Sequence, residues 1–134
     1  MAKDPIKGEG WAVASLDDLG EGPGFRKVRS ALGVTAFGAN AVILPPGYAT
    51  RRHFHERQEE LYLVLEGEIE FEFGDGATQT LARGGMARVS PETVRQLRNT
   101  SASENATYFC VGGADGYVGR DGVRPDDEPA SVGR

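Results

Sequence analysis

His53 and His55 are the only two histidines in the chain, and they stand two residues apart. On a strand, residues i and i+2 share a face, so both imidazoles project to one side. Five residues beyond His55, Glu60 opens an apolar run, Leu61 to Leu65. Two imidazoles and a carboxylate on adjacent strands can meet one divalent cation. That donor set suits non-haem Fe, Mn, Ni, Cu or Zn, and it leaves coordination positions open for water or substrate. Spacing alone does not choose among these metals. Tyr62 shares the face of Glu60, so the two form a candidate proton-handling pair, with plain core packing an equal reading of Tyr62. Arg51 has the parity of His53, and Arg95 that of Leu97, which directs it inward; both are candidate anchors for an anionic substrate. Gln58 and Glu59 compete with Glu60 as ligands. The bland alternative is two surface or structural histidines and a solvated arginine.

These side chains need a scaffold of short strands, and the sequence supplies one. Glu68 to Phe73 alternates strictly, with Ile69, Phe71 and Phe73 on one side and three glutamates on the other. That is the period of a half-buried strand, and Gly74-Asp75-Gly76 after it is a hairpin turn. Further strands are expected at 25–32, 34–44, 49–55, 78–81, 86–89, 95–99 and 107–111. The Leu61 to Leu65 run reads as a strand buried on both faces. Pro45-Pro46-Gly47 and Arg83-Gly84-Gly85 are turn signals. No segment holds a helical period long enough for a long helix. Many short strands parted by Gly and Pro predict an all-β sandwich or small barrel.

The composition bounds the rest. A chain of 134 residues, 39% apolar and 26% charged, fits one globular domain. Residues 1–24 read as an N-terminal arm with a first short strand, 25–111 as the barrel, and 112–134 as a partly flexible C-terminal arm rich in Gly, Asp, Arg and Pro. A net charge of −5 argues against nucleic acid or an anionic membrane as partner. No run approaches a membrane span, and Met1 to Gly10 lacks the apolar core of a signal peptide. The one cysteine, Cys110, cannot form an internal disulfide, which points to a reducing, cytoplasmic setting.

The segment from Gly47 to Gly67 resembles the first motif of the cupin family. That motif runs Gly, five residues, His-X-His, three or four residues, Glu, six residues, Gly, and Gly47, His53, His55, Glu60 and Gly67 occupy every fixed position. The second cupin motif is matched in part. Gly84 and Asn99 fit, while Ser90, Glu92 and Arg95 stand where Pro, Gly and the fourth metal ligand, His, are expected. The resemblance implies a conserved jelly-roll-like barrel (a double-stranded β-helix) of two antiparallel sheets, often a homodimer, with one divalent metal inside. The long arms would serve a dimer by pairing strands across a two-fold, which light scattering resolves.

Arg95 departs most from the pattern. A guanidinium is protonated and has no lone pair for a metal. Three readings stay open: Arg95 turns aside from a three-ligand metal site, it pairs with Glu60 so that no metal binds, or it anchors an anion. The resemblance implies metal-dependent chemistry on a small molecule, of dioxygenase, isomerase or decarboxylase type. The competing reading is a non-catalytic ligand-binding or structural cupin without metal.

Overall fold

The computed structural model describes residues 3–125, so the last nine residues of the C-terminal arm lie outside the described ones. Two antiparallel sheets enclose the core. The larger is built from β3 (Gly24–Arg26), β4 (Gly38–Leu44), β6 (Glu59–Glu66), β9 (Met86–Val89) and β11 (Ala106–Gly113), in the spatial order β3-β4-β11-β6-β9. The smaller is β10-β7-β8, from β7 (Glu68–Phe73), β8 (Thr78–Ala82) and β10 (Arg95–Asn99). Two short ribbons complete the set. One is the hairpin of β1 (Ile6–Gly8) and β2 (Trp11–Val13), inside what reads in sequence as a loose arm. The other pairs β5 (Phe54–His55) with β12 (Gly122–Val123). Among the described residues no helix is long and apolar enough to cross a membrane.

Side-chain alternation decides what faces inward. In β7, Ile69 and Phe71 are fully buried, and in β10 the inward set is Arg95, Leu97 and Asn99. In β6 it is Glu60, Tyr62 and Val64. The apolar ones, Tyr62, Val64, Ile69, Phe71 and Leu97, join Val42, Leu44, Val89, Ala106 and Tyr108 in one core between the sheets. Apolar burial of this kind holds the fold, and it also plants Glu60 and Arg95 at the inner wall.

Three sequence expectations are corrected. Residues 25–32 are not one strand: β3 ends at Arg26 and a single helical turn, α1 (Val28–Leu32), follows. Val28 packs with Ala39 and Ala41, whose small side chains let the turn approach the sheet, and Gly33 closes it at φ 78 with its N–H on the Arg29 carbonyl. The run 61–65 is not buried on both faces, because β6 alternates and Leu61 is 47% exposed. The expected strand 49–55 is reduced to β5, with isolated bridges at Ala49↔Arg98 and His53↔Arg95. Four steps along one chain oppose three along the other, so the pairing contains one extra residue, as in a bulge.

Gly67 turns the chain between β6 and β7 at φ +77, and a Cβ there would meet the Ala106 Cβ at 2.9 Å. Gly67→Ala is expected to cost roughly 1–3 kcal/mol from backbone strain and the clash. Gly47→Ala, at φ +72 with open space around it, should lose less. Urea midpoints of the two variants check this; equal losses would show that the close approach at Ala106 is irrelevant.

Candidate functional site

The bridge of His53 to Arg95, strand β5 after it and the start of β6 bring His53, His55 and Glu60 together. All three are buried, and their ligating atoms lie within 4.8 Å of one another. Metal–ligand bonds near ~2.1 Å place donors of one ion up to about 4 Å apart, so a small inward movement closes the set. The two imidazole rings meet edge to face at 5.2 Å. His55 Nε2 lies 3.3 Å from Glu60 Oε1, and it is buried with no hydrogen-bond partner among the described residues. A buried polar atom normally has a partner. A ligating nitrogen aimed at a carboxylate, with a second histidine beside it, fits a divalent cation.

The other ring nitrogens are held from behind. His53 Nδ1 lies 3.3 Å from the Arg51 carbonyl oxygen. His55 Nδ1 lies 3.0 Å from the Gln58 amide and 3.6 Å from Asp121 Oδ2. A half-turn of the Gln58 amide presents its oxygen, and Nδ1–H can then donate to Gln58 or Asp121 while Nε2 offers its lone pair. Gln58 therefore supports His55, and Glu59 is excluded because its exposed side chain pairs with Arg88 at 3.0 Å.

Three groups converge on Glu60 Oε1. Tyr62 donates its hydroxyl at 2.6 Å, Arg95 Nη2 donates at 3.0 Å, and His55 stands at 3.3 Å. Burial pushes the Glu60 carboxyl up, but the hydrogen bonds and charges of His55, Tyr62 and Arg95 outweigh it and hold the group well below the usual carboxylate range. Burial, with Cys110 and Glu60 nearby, pushes the Tyr62 phenol well above its usual value. Glu60 is thus a carboxylate and Tyr62 a proton donor. Arg95 is fully buried and also donates to the carbonyls of Pro91 and Thr93 and to the Tyr62 hydroxyl. Arg95 thus faces Glu60 and does not turn aside.

A cavity of about 600 Å³ is lined by His55, Glu60 and Tyr62, and His53 is not among its lining residues. Arg51 and Arg95, the anion anchors expected from sequence, are not among its lining residues. Arg95 is spent behind Glu60, and Arg51 presents its backbone carbonyl to His53. The lining cations are instead Lys27, Arg29 and Arg120. The C-terminal arm covers one side of the cavity. Asp121 Oδ2 accepts the N–H groups of Arg57 at 2.9 Å and Gln58 at 2.7 Å, and the Asp121 carbonyl accepts that of Glu56. Burial raises the Asp121 carboxyl, and these N–H groups together with His55 more than reverse that, leaving it lowered. Sequence reasoning missed Asp121, because its partners lie more than sixty residues away and no local pattern marks it.

Comparison with known proteins agrees with this architecture. The family model described as "Cupin domain" matches residues 40–112. In sequence the chain is similar to the oxidoreductase macE of Penicillium terrestre, with 29% identity over 93 residues, 69% of this chain. It spans only 36% of that protein's length. Among solved structures it resembles a cupin protein from Bacteroides fragilis, with TM-score 0.66 and 20% identity over 92% of this chain and 98% of that one. It also resembles a sugar phosphate isomerase of the cupin superfamily from Silicibacter pomeroyi, with TM-score 0.62 and 24% identity over 81% and 80% of the two chains. At these identities the structural likeness speaks for the fold. With the family model covering more than half of the sequence, over a barrel of two antiparallel sheets, this chain belongs to the cupin family.

Proposed function

We propose that this cupin binds one divalent metal ion through His53, His55 and Glu60 and acts on a small polar molecule admitted by the cavity that His55 and Glu60 line. The observation that carries this reading is the buried convergence of His53, His55 and Glu60, whose ligating atoms lie within 4.8 Å of one another. A bound metal would supply Lewis acidity or redox capacity, with coordination positions left open by a three-residue ligand set. The chain's own residues do the rest. Arg95 fixes the Glu60 carboxylate and keeps it ionised. Tyr62 holds a proton against Glu60 Oε1 at the cavity floor, where a bound substrate can receive it. Gln58 and Asp121 orient His55. The oxidoreductase and isomerase names of the relatives are both compatible with such a centre.

The Arg95–Glu60 contact at 3.0 Å favours a second reading, a metal-free binding module in which the ion pair replaces the metal. Elemental analysis of protein purified without a histidine tag or chelator separates the two. Wild-type protein is expected to carry metal, and His53→Ala/His55→Ala to lose it. Equal metal content in both proteins would end the ligand assignment.

A further inference from the structure

The whole chain has 20 acidic and 15 basic residues, yet the cavity lining reverses that balance. Three cations, Lys27, Arg29 and Arg120, line it against two carboxylates, Glu60 and Asp121. Both carboxylates are already committed. Glu60 is matched by Arg95 behind it, and Asp121 is tied to the N–H groups of Arg57 and Gln58. The cations come from two separate elements, α1 with its preceding residue and the C-terminal arm, and they meet at one cavity.

We infer that Lys27, Arg29 and Arg120 form an oxyanion subsite that holds the phosphate-type head group of the substrate, while the other end of the molecule reaches His55, Glu60 and Tyr62. This deepens the reading above and rests on it for the identity of the cavity as the substrate site. Arg29 is positioned for the role. Its guanidinium lies 3.9 Å over the Tyr117 ring, and one of its N–H groups is given to the Val34 carbonyl. Stacking holds the guanidinium plane and leaves the edge of its five-donor fork for an anion. Lys27 and Arg120 are exposed and can swing onto a ligand. Arg120 sits at φ 53, a left-handed conformation that a non-glycine residue adopts at some cost, immediately before the anchored Asp121. The arm is thus pinned where its arginine meets the cavity. Ser30 and Asn40 add neutral polar groups to the same lining. A phosphate monoester carries up to two charges and three acceptor oxygens, which suits three cations better than a single carboxylate does.

The test is calorimetric titration of the purified full chain, as isolated, with inorganic phosphate, and separately with acetate. Phosphate is expected to bind at low ionic strength and to weaken as salt rises from ~0.01 to ~0.15 M, where the screening length falls from ~30 to ~8 Å. Lys27→Gln/Arg120→Gln should bind phosphate about tenfold more weakly or worse, with an unchanged thermal midpoint since both residues are exposed. His53→Ala/His55→Ala should keep phosphate affinity within about twofold. That result supports the subsite whether or not the metal reading survives. Loss of phosphate binding in the histidine variant, with retention in the Lys27/Arg120 variant, would overturn the proposal, since the anion would then sit on the metal. Absence of phosphate binding to the wild type at low salt would overturn it too. Acetate binding as tight as phosphate would overturn the assignment of a phosphate-type head group.

Discussion

Arg95→Ala is expected to cost about 3–5 kcal/mol of stability, the scale of breaking one side of a buried ion pair. Among the described residues Arg95 is the largest fully buried side chain, and it makes four hydrogen bonds, to Glu60, Tyr62 and the carbonyls of Pro91 and Thr93. Truncation leaves the Glu60 carboxylate buried without its cation, strands two carbonyl oxygens and opens a void beside Tyr62. Arg95→Lys should recover part of the loss, because an ammonium keeps the charge but not the planar fork. The combined Arg95→Ala/Glu60→Ala variant should lose less than the sum of the two single losses, since the charge that truncation strands is gone. Urea denaturation of the wild type, Arg95→Lys, the two single alanine variants and the double variant measures this. Additive losses would mean that Arg95 and Glu60 do not depend on each other.

The second large effect is expected at Asn99, a fully buried residue at the end of β10. Its amide donates to the carbonyls of Leu44, Pro45 and Glu104 at 2.8–3.1 Å, and its oxygen accepts the Ser101 N–H at 2.9 Å. One side chain therefore joins the end of β4, the turn after it and the loop before β11. Asn99→Ala leaves these backbone groups buried without a partner, each costing ~1–3 kcal/mol, so a total loss of roughly 3 kcal/mol or more is expected. Asn99→Asp should be no better, because a carboxylate lacks the amide donors and faces carbonyl oxygens. Denaturant midpoints at constant m check both variants. A loss below ~1 kcal/mol for Asn99→Ala would show that water replaces the amide in this corner.

Both residues stand at positions of the second cupin motif, one matching it and one departing from it. Their inward orientation was legible in sequence from parity with Leu97. The alternation of Glu68 to Phe73 likewise identified β7, and the spacing of His53, His55 and Glu60 identified the cluster. Local patterns carry this information because a strand's period of two translates directly into burial.

Other features depend on tertiary contact and were not legible. The segment 25–32 has apolar residues that fit a strand or a helical turn. Packing of Val28 against Ala39 and Ala41 selects the turn, although Gly33 was a visible stop. The strand 49–55 lost its continuity to an extra residue between Ala49 and His53, which no pattern in that run announces. Arg95 could be placed inward, but its contact with Glu60 depends on a distance that the sequence does not hold. The cations that line the cavity were not legible for a similar reason. Arg51 and Arg95 lie near the histidines in parity or motif, whereas Lys27, Arg29 and Arg120 reach the cavity from a helical turn and an arm. Asp121 is the furthest case, since it lies in a Gly- and Arg-rich stretch with no apolar period and yet anchors β12 beside His55.

The central claim is a metal held by three residues with an arginine in the fourth position. Its most direct test is metal content by elemental analysis of tag-free wild-type protein beside Arg95→His. The account predicts near-stoichiometric divalent metal in the wild type, with tighter retention in the variant when chelator is added, because a third imidazole joins the set as a fourth ligand. No metal in the wild type, with metal in Arg95→His, would contradict it. Arg95 would then close the centre, and the protein would be a binding module.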